Sequence, residues 1–119
     1  RLPDTLADSI SVGIPRNGIK ALNALHESGG CMVDVSDEEI LAAMKLLAQK
    51  TGVFGEPAGV TRFAGIMKMK ELGLIKGDER VVSIVSGSGL KDIRSAMKAA
   101  GKASCVEPDL VDLKRILNK

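Results

Sequence analysis

The chain has 119 residues, which is enough for one domain or for part of one. Apolar residues make up 45% of it, whereas the net charge is only +2 and the basic residues are dispersed. This composition argues against a basic nucleic-acid-binding surface, and no apolar run is long enough to cross a bilayer. We therefore expect neither nucleic acid nor a membrane as a partner.

The core has to be built from aliphatic side chains, because the sequence contains two Phe and neither Trp nor Tyr. Such a core suits a sheet covered by helices. The first residues, Arg1-Leu2-Pro3-Asp4, resemble the middle of a chain, so we expect a fragment of a longer protein. Cys31 and Cys105 have no metal-ligand spacing. We therefore expect no metal site, reduced thiols in the cytoplasm, and a Cys31 that is buried in a strand.

Helix signals come first along the chain. Residues 17–28 carry apolar side chains at a period of three to four and are followed by Gly29-Gly30, which predicts a helix with a glycine end. Ser36 and Glu39 predict the start of a second helix, since each can hydrogen-bond the backbone N–H of the other. The apolar face of this helix extends to Gly52, its predicted end.

A third helix is predicted over residues 58–72, because Pro57 suits the first helical position. Gly59 and Gly65 within it cost about 1 kcal/mol each relative to alanine. That cost indicates close packing against a sheet or a ligand.

The C-terminal part of the chain carries two further helix signals. Residues 93–100 are predicted to be helical or irregular and are followed by Gly101. A last helix is predicted to start at residues 107–109 and to carry an apolar stripe.

Two apolar runs, residues 31–35 and 81–85, predict strands. The second run is continuous rather than alternating, which favours a strand buried on both faces of a parallel sheet. Helices alternating with such strands predict an α/β fold, here a partial three-layer sandwich with mostly parallel strands. Two strands cannot cover their own edges, so we expect the missing strands upstream in a longer chain or in a partner copy.

Residues 86–89, Ser-Gly-Ser-Gly, follow the second predicted strand and form the first candidate for a binding site. Ligands of open α/β sheets bind beyond the carboxyl ends of strands, and glycine lets a ligand approach the backbone. The turn lacks the Gly-Lys-Ser/Thr ending of a P-loop and the third glycine of a dinucleotide fingerprint. A plain turn between a strand and a loop is the alternative interpretation.

Four segments occur in one order: ADSISVGIPRN, VSDEEI, GVFGEPAG and VSIVSGSGLKD. This set resembles the C-terminal third of the threonine synthase family, which belongs to the fold-type-II pyridoxal-phosphate (PLP) enzymes, the tryptophan-synthase-β-like group. The second and third segments are shared with threonine and serine dehydratases, whereas GLKD after the Ser-Gly pairs is the more specific mark. The resemblance implies that residues 1–119 are the C-terminal portion of the PLP-binding large domain. We expect a cytoplasmic homodimer acting on a small-molecule substrate.

The resemblance also implies a role for three residues. Ser86 hydrogen-bonds the pyridine nitrogen of the cofactor, Gly87 lets the ring edge approach the backbone, and Glu56 lines the cofactor face. A hydroxyl has too high a pKa to protonate the ring, so electron withdrawal stays moderate, which suits elimination and replacement on the substrate side chain. The alternatives are an ordinary turn serine at Ser86 and a favourable helix-dipole partner at Glu56.

The sequence contains neither a motif like Ser-x-Lys-x-Arg, which carries the family's Schiff-base lysine, nor a Gly/Asn-rich phosphate loop. We therefore expect no catalytic residue in this chain and no activity from it alone. The parent enzyme, a lyase, is expected to convert O-phosphohomoserine and water to threonine and phosphate. The alternatives are cysteate synthase, a threonine or serine dehydratase, and a stand-alone binding or oligomerisation module. For the basic pair Arg16 and Lys20, contact with an acidic substrate and simple solvent exposure both stay open.

Overall fold

Five α-helices carry most of the regular structure of residues 3–118, the part of the chain that the computed structural model describes. They are α1 (Gly18–Ser28), α2 (Asp37–Thr51), α3 (Pro57–Glu71), α4 (Ile93–Ala100) and α5 (Leu110–Leu117). The described residues also contain two short 3-10 turns, Asp8–Ile10 and Gly89–Lys91. No helix in this part of the chain is both long and apolar enough to cross a membrane. Arg1 and Leu2, on which the expectation of a fragment partly rested, lie outside the described residues, as does Lys119.

The start of α2 confirms the predicted capping box. The Ser36 hydroxyl accepts a hydrogen bond from the Glu39 N–H at 3.2 Å, and the Glu39 carboxylate accepts one from the Ser36 N–H at 2.6 Å. Two of the N–H groups that a helix start leaves without partners are thereby satisfied. The helix ends at Gly52, which has a left-handed backbone, as the sequence predicts.

Helix α3 begins at Pro57 as predicted and packs across α2. Between them lies a small aliphatic core, in which Met44 and Val60 are fully buried. Helix α4, which the sequence left between helical and irregular, is regular and adds Ala99 to this core. A salt bridge of 3.3 Å between Lys68 of α3 and Glu39 of α2 lies at the edge of the same contact.

The predicted sheet is wrong for the residues that the structure describes. Neither residues 31–35 nor residues 81–85 form a strand, so the partial three-layer sandwich with mostly parallel strands is absent from residues 3–118. The physical reason is pairing, because a strand exists only through hydrogen bonds to a neighbour, and no described backbone–backbone hydrogen bond involves either segment. The β-type pairing found in this part of the chain is one isolated antiparallel bridge between Gly55 and Ser88.

The burial predicted for Cys31 is also wrong. Cys31 and Cys105 are both exposed and both are free thiols. Cys31 lies in the segment that lacks a pairing partner, and the burial expected for it depended on the same sheet.

The two apolar segments flank α3 and leave an open apolar groove beside it, here called the α3 groove. Its volume is about 540 Å³. It is lined by Met32, Val33, Val35, Thr61, Arg62, Gly65, Ile66, Met69, Ile75, Val81, Val82, Ser83 and Ile84. The hydroxyl of Ser83 is buried in this wall and has no hydrogen-bond partner among the described residues.

The molecule is extended for its length. The Cα radius of gyration is 18.0 Å, whereas a compact domain of this length has about 13.5 Å. The accessible surface is 9615 Å², compared with about 6,200 Å² for a compact monomer of the same mass. Apolar side chains that the sequence assigns to a core therefore stay open to solvent.

Candidate functional site

Two loops that are distant in sequence are hydrogen-bonded to each other at the start of α3. The Glu56 N–H donates to the carbonyl oxygen of Gly87 at 2.9 Å, and the Gly89 N–H donates to that of Phe54, also at 2.9 Å. These bonds flank the bridge between Gly55 and Ser88. The turn predicted as a binding site, residues 86–89, is thus held against the Gly-Glu-Pro loop. We call residues 53–56 and 86–89 the paired loops.

Glycine is required where the backbones approach most closely. A Cβ atom at Gly59 would lie 3.2 Å from the backbone nitrogen of Gly87 and 3.3 Å from that of Ser86. A Cβ atom at Gly87 would overlap the Glu56 carboxylate. Bare backbone at both positions therefore lets α3 begin directly beneath the turn and lets the Glu56 carboxylate lie against it.

Ser86 lies on the exposed side of this turn. Its hydroxyl oxygen accepts a hydrogen bond from the Nη1 atom of Arg62 at 3.4 Å. The same nitrogen donates to the carbonyl oxygen of Ile84 at 3.2 Å. The hydroxyl is consequently reachable from solvent and has a cation at its side.

Glu56 occupies the cap position of α3, but its side chain makes no cap hydrogen bond. The side chain is 16% exposed, and one carboxylate oxygen lies 3.9 Å from the Nζ atom of Lys91. The carboxylate is thus turned toward residues 87–91 instead of capping its own helix. This placement brings Glu56, Gly87 and Ser86 together at the start of α3, as the sequence expectation requires.

The structure does not bring the basic pair Arg16 and Lys20, the candidates for contact with an acidic substrate, to this site. Arg16 and Lys20 line a separate surface cleft at the start of α1. No described side-chain hydrogen bond or ion pair connects either of them to the paired loops. No group of three or more His, Cys, Asp and Glu side chains within residues 3–118 is arranged to hold a metal ion.

Arg62 is the residue at this site that sequence reasoning missed. It lies at an exposed position in the middle of α3, where an arginine has no distinguishing pattern. Its partners, Ile84 and Ser86, are more than twenty positions away in the sequence, so only the tertiary packing reveals the contact.

Comparison with known proteins gives the following similarities. Residues 1–87 match the family described as "pyridoxal-phosphate dependent enzyme". The chain is 47% identical over 117 residues to the threonine synthase of Methanocaldococcus jannaschii, which covers 98% of this chain and 29% of that protein. It is 44% identical over 110 residues to the threonine synthase of Methanosarcina acetivorans, with 92% and 26% covered. For the threonine synthase of Halalkalibacterium halodurans the identity is 44% over 107 residues, with 90% and 30% covered. The chain therefore spans less than a third of the length of these relatives.

Proposed function

Because the chain belongs to the family of pyridoxal-phosphate dependent enzymes, we propose that it is the C-terminal portion of the cofactor-binding large domain of a threonine synthase. The full-length enzyme then converts O-phosphohomoserine and water to threonine and phosphate. Support comes from relatives with that name at 44 to 47% identity over nearly the whole chain. The residues that the resemblance selects lie on both of the paired loops.

The observation that carries the proposal is the backbone hydrogen bonding between the Ser86-Gly87 turn and the loop that contains Glu56. Two backbone hydrogen bonds of 2.9 Å fix the turn at the start of α3, so the loop that carries Ser86 and the loop that carries Glu56 are held against each other. A site needs such rigidity, because groups on free loops do not keep a productive geometry.

The donor set of the paired loops fits pyridoxal phosphate. The cofactor ring offers a nitrogen that accepts a hydrogen bond and an acidic hydroxyl, which would suit a hydroxyl donor and nearby cations. Ser86 supplies the exposed hydroxyl, and Arg62 and Lys91 lie beside the paired loops as cations. The space that a Gly87 side chain would take is filled by the Glu56 carboxylate, which places that group directly against the turn. When bound, the cofactor supplies the electron sink for elimination and replacement on the substrate side chain.

Each residue that this chain contributes to the site then has a definite role. Ser86 donates its hydroxyl hydrogen to the ring nitrogen and cannot deliver a full proton, because its pKa is far too high. Glu56 would line the ring face; its carboxylate lies against Gly87, 3.9 Å from the Nζ atom of Lys91. Gly59 lets α3 begin directly beneath the turn, and Gly87 leaves the space that the Glu56 carboxylate fills.

The other half of the site belongs to the rest of the longer enzyme. The Schiff-base lysine and the phosphate-binding loop have no counterpart in this sequence. We propose that the rest of that chain also covers the α3 groove and supplies the missing partner of the Ser83 hydroxyl, because buried hydroxyls are normally paired.

We further propose a cytoplasmic homodimer. Both features are what the resemblance implies.

The deciding experiment is turnover by the full-length enzyme loaded with pyridoxal phosphate. We expect O-phosphohomoserine to yield threonine and phosphate in equal amounts. Phosphoserine with sulfite, and threonine or serine alone, are assayed separately as alternative substrates. Turnover of phosphoserine and sulfite only would identify a cysteate synthase, and release of ammonia from threonine or serine only would identify a dehydratase; either result would refute the proposal.

A further inference from the structure

Arg62 reaches from α3 to the segment that leads into the Ser86 turn. Its Nη1 atom donates to the carbonyl oxygen of Ile84 at 3.2 Å and to the hydroxyl oxygen of Ser86 at 3.4 Å. The second distance lies at the long end of the hydrogen-bond range, so the carbonyl is the firmer anchor. That anchor holds the guanidinium beside the hydroxyl.

The charge of Arg62 is not neutralised by any carboxylate among residues 3–118. The ion pairs in this part of the chain are those of Lys68, Lys91 and Arg115, and none includes Arg62. Glu56 and Lys91, the other charged side chains at the paired loops, pair with each other. The guanidinium is therefore the cation that acts on Ser86.

The chemistry of the two groups fixes the direction of their hydrogen bond. A guanidinium has five N–H donors and no acceptor, whereas a serine hydroxyl has one hydrogen and two lone pairs. The Ser86 oxygen must therefore accept from Arg62. Its single hydrogen stays available for a second partner, and that partner has to be an acceptor.

We propose that Arg62 is a positioning residue, which orients the Ser86 hydroxyl so that its hydrogen is presented to the cofactor ring nitrogen. The inference rests on the proposed function, in which Ser86 faces that nitrogen. An unprotonated pyridine nitrogen only accepts, so it matches the free hydrogen that Arg62 leaves on Ser86. A hydroxyl polarised by a cation on its oxygen is also the stronger donor.

A double-mutant cycle in the full-length enzyme tests this role. The variants are Arg62→Gln, Ser86→Ala and the two combined, and the readouts are the dissociation constant and the absorption spectrum of bound pyridoxal phosphate. Glutamine can accept as well as donate, so the Ser86 hydrogen is free to turn toward it. We expect Arg62→Gln to weaken cofactor binding about threefold to tenfold and to shift the spectrum when Ser86 is present. In the Ser86→Ala background, we expect a change of less than about twofold.

Two further variants separate positioning from folding. Arg62→Lys keeps a donor without an acceptor, so we expect it to restore much of the affinity that Arg62→Gln loses. Arg94→Gln, an exposed arginine of α4 outside the paired loops, should leave affinity and spectrum unchanged. If Arg62→Gln does not fold, the same cycle is run with Arg62→Met, which keeps the stem and removes the donors.

The outcomes separate this inference from the proposed function. An equal loss in the unsubstituted and the Ser86→Ala backgrounds would show that Arg62 does not act through the hydroxyl, and no loss in either background would show that it does not act at all. An unchanged spectrum in Ser86→Ala would show that the Ser86 hydroxyl does not contact the ring nitrogen and would overturn the inference. If the cycle shows coupling but O-phosphohomoserine is not turned over, the role of Arg62 stands and the assigned reaction falls.

Discussion

At the scale of single residues, Gly59 and Gly65 occupy one helix but have different neighbours. A Cβ atom at Gly59 would lie 3.2 Å from the backbone nitrogen of Gly87, a peptide group that hydrogen bonds hold in place. A Cβ atom at Gly65 would meet only the Cγ2 atom of Val33, at an ordinary 3.6 Å. Of the two glycines for which the sequence indicates close packing, only the first is in such a contact among the described residues.

The two glycines should therefore respond differently to alanine. In the isolated chain, where the α3 groove is open, we expect Gly65→Ala to raise the free energy of unfolding by up to about 1 kcal/mol, because alanine is the better helix former. We expect Gly59→Ala to give no such gain, because the new methyl group presses on fixed backbone. Urea titrations followed by far-UV circular dichroism measure both. Equal gains would show that the turn yields and that the contact at Gly59 is loose.

Ser86 is expected to act through its hydroxyl. In the full-length enzyme, Ser86→Asp should shift the cofactor absorption spectrum and lower turnover about tenfold or more, because a carboxylate favours a protonated ring nitrogen. Ser86→Thr keeps the hydroxyl and should retain most activity. Ser28→Ala, a serine at the end of α1, is the control. Unchanged spectrum and turnover in Ser86→Asp would contradict the pyridine contact.

At the scale of elements, local signals predicted the helices well. Pro57 and the Ser36–Glu39 box start helices through contacts within a few residues, so the sequence contains all that is needed. The apolar segments at 31–35 and 81–85 differ, because a strand depends on a neighbour that local sequence does not specify. The contact of Arg62 with Ser86 depends likewise on how α3 packs, and no spacing rule could reveal it.

The capping box of α2 makes a prediction about stability. Ser36→Ala should lower the free energy of unfolding by about 1 kcal/mol, because the Glu39 N–H loses its acceptor. Ser104→Ala provides the control, since that serine is exposed and makes no hydrogen bond among the described residues. Thermal unfolding followed by circular dichroism compares them. An equal effect of the two substitutions would mean that the box does not stabilise α2.

The same box makes stability depend on pH. The hydrogen bond from the Ser36 N–H, with a smaller contribution from Lys68, holds the pKa of Glu39 below its ordinary value of 4.5. The unfolded chain therefore takes up this proton first as pH falls. The stabilisation is fully present above about pH 4.5 and is lost as pH falls through the lower folded pKa.

Melting temperatures between neutral pH and about pH 3 check this expectation. Glu39→Gln should melt below the unsubstituted chain at neutral pH, and the difference should shrink in acid. Glu27→Gln, at an exposed position of α1, should show no such convergence. A constant difference across this range would mean that the charge of Glu39 contributes nothing to the cap.

At the scale of the whole molecule, the exposed surface exceeds that of a compact monomer by about 3,400 Å². Much of this surface is apolar, and in the α3 groove Val82 and Ile84 are 83% and 70% exposed. Single exposed apolar residues are ordinary, but a contiguous apolar groove on a protein of this size marks an interface. This excess is consistent with a chain that spans less than a third of its relatives.

We therefore expect the isolated 119-residue chain to bind dyes that report apolar surface and to associate as its concentration rises. Ile84→Asp, in the α3 groove, should lower dye binding and association more than Val111→Asp, at an exposed position of α5 outside the groove. Dye fluorescence and sedimentation velocity measure the two effects. A monomer that binds no dye would show that the groove closes in solution.

The overlap that any side chain at Gly87 would make with the Glu56 carboxylate has a consequence for the history of this family. The two positions are far apart in the chain but share one volume, so a side chain at position 87 requires the Glu56 carboxylate to move aside or a shorter residue to stand at position 56. Among homologous sequences, we expect residues larger than glycine at position 87 to occur more often with residues shorter than glutamate at position 56 than with glutamate. Such paired substitution would record the contact in the evolutionary variation of the enzyme.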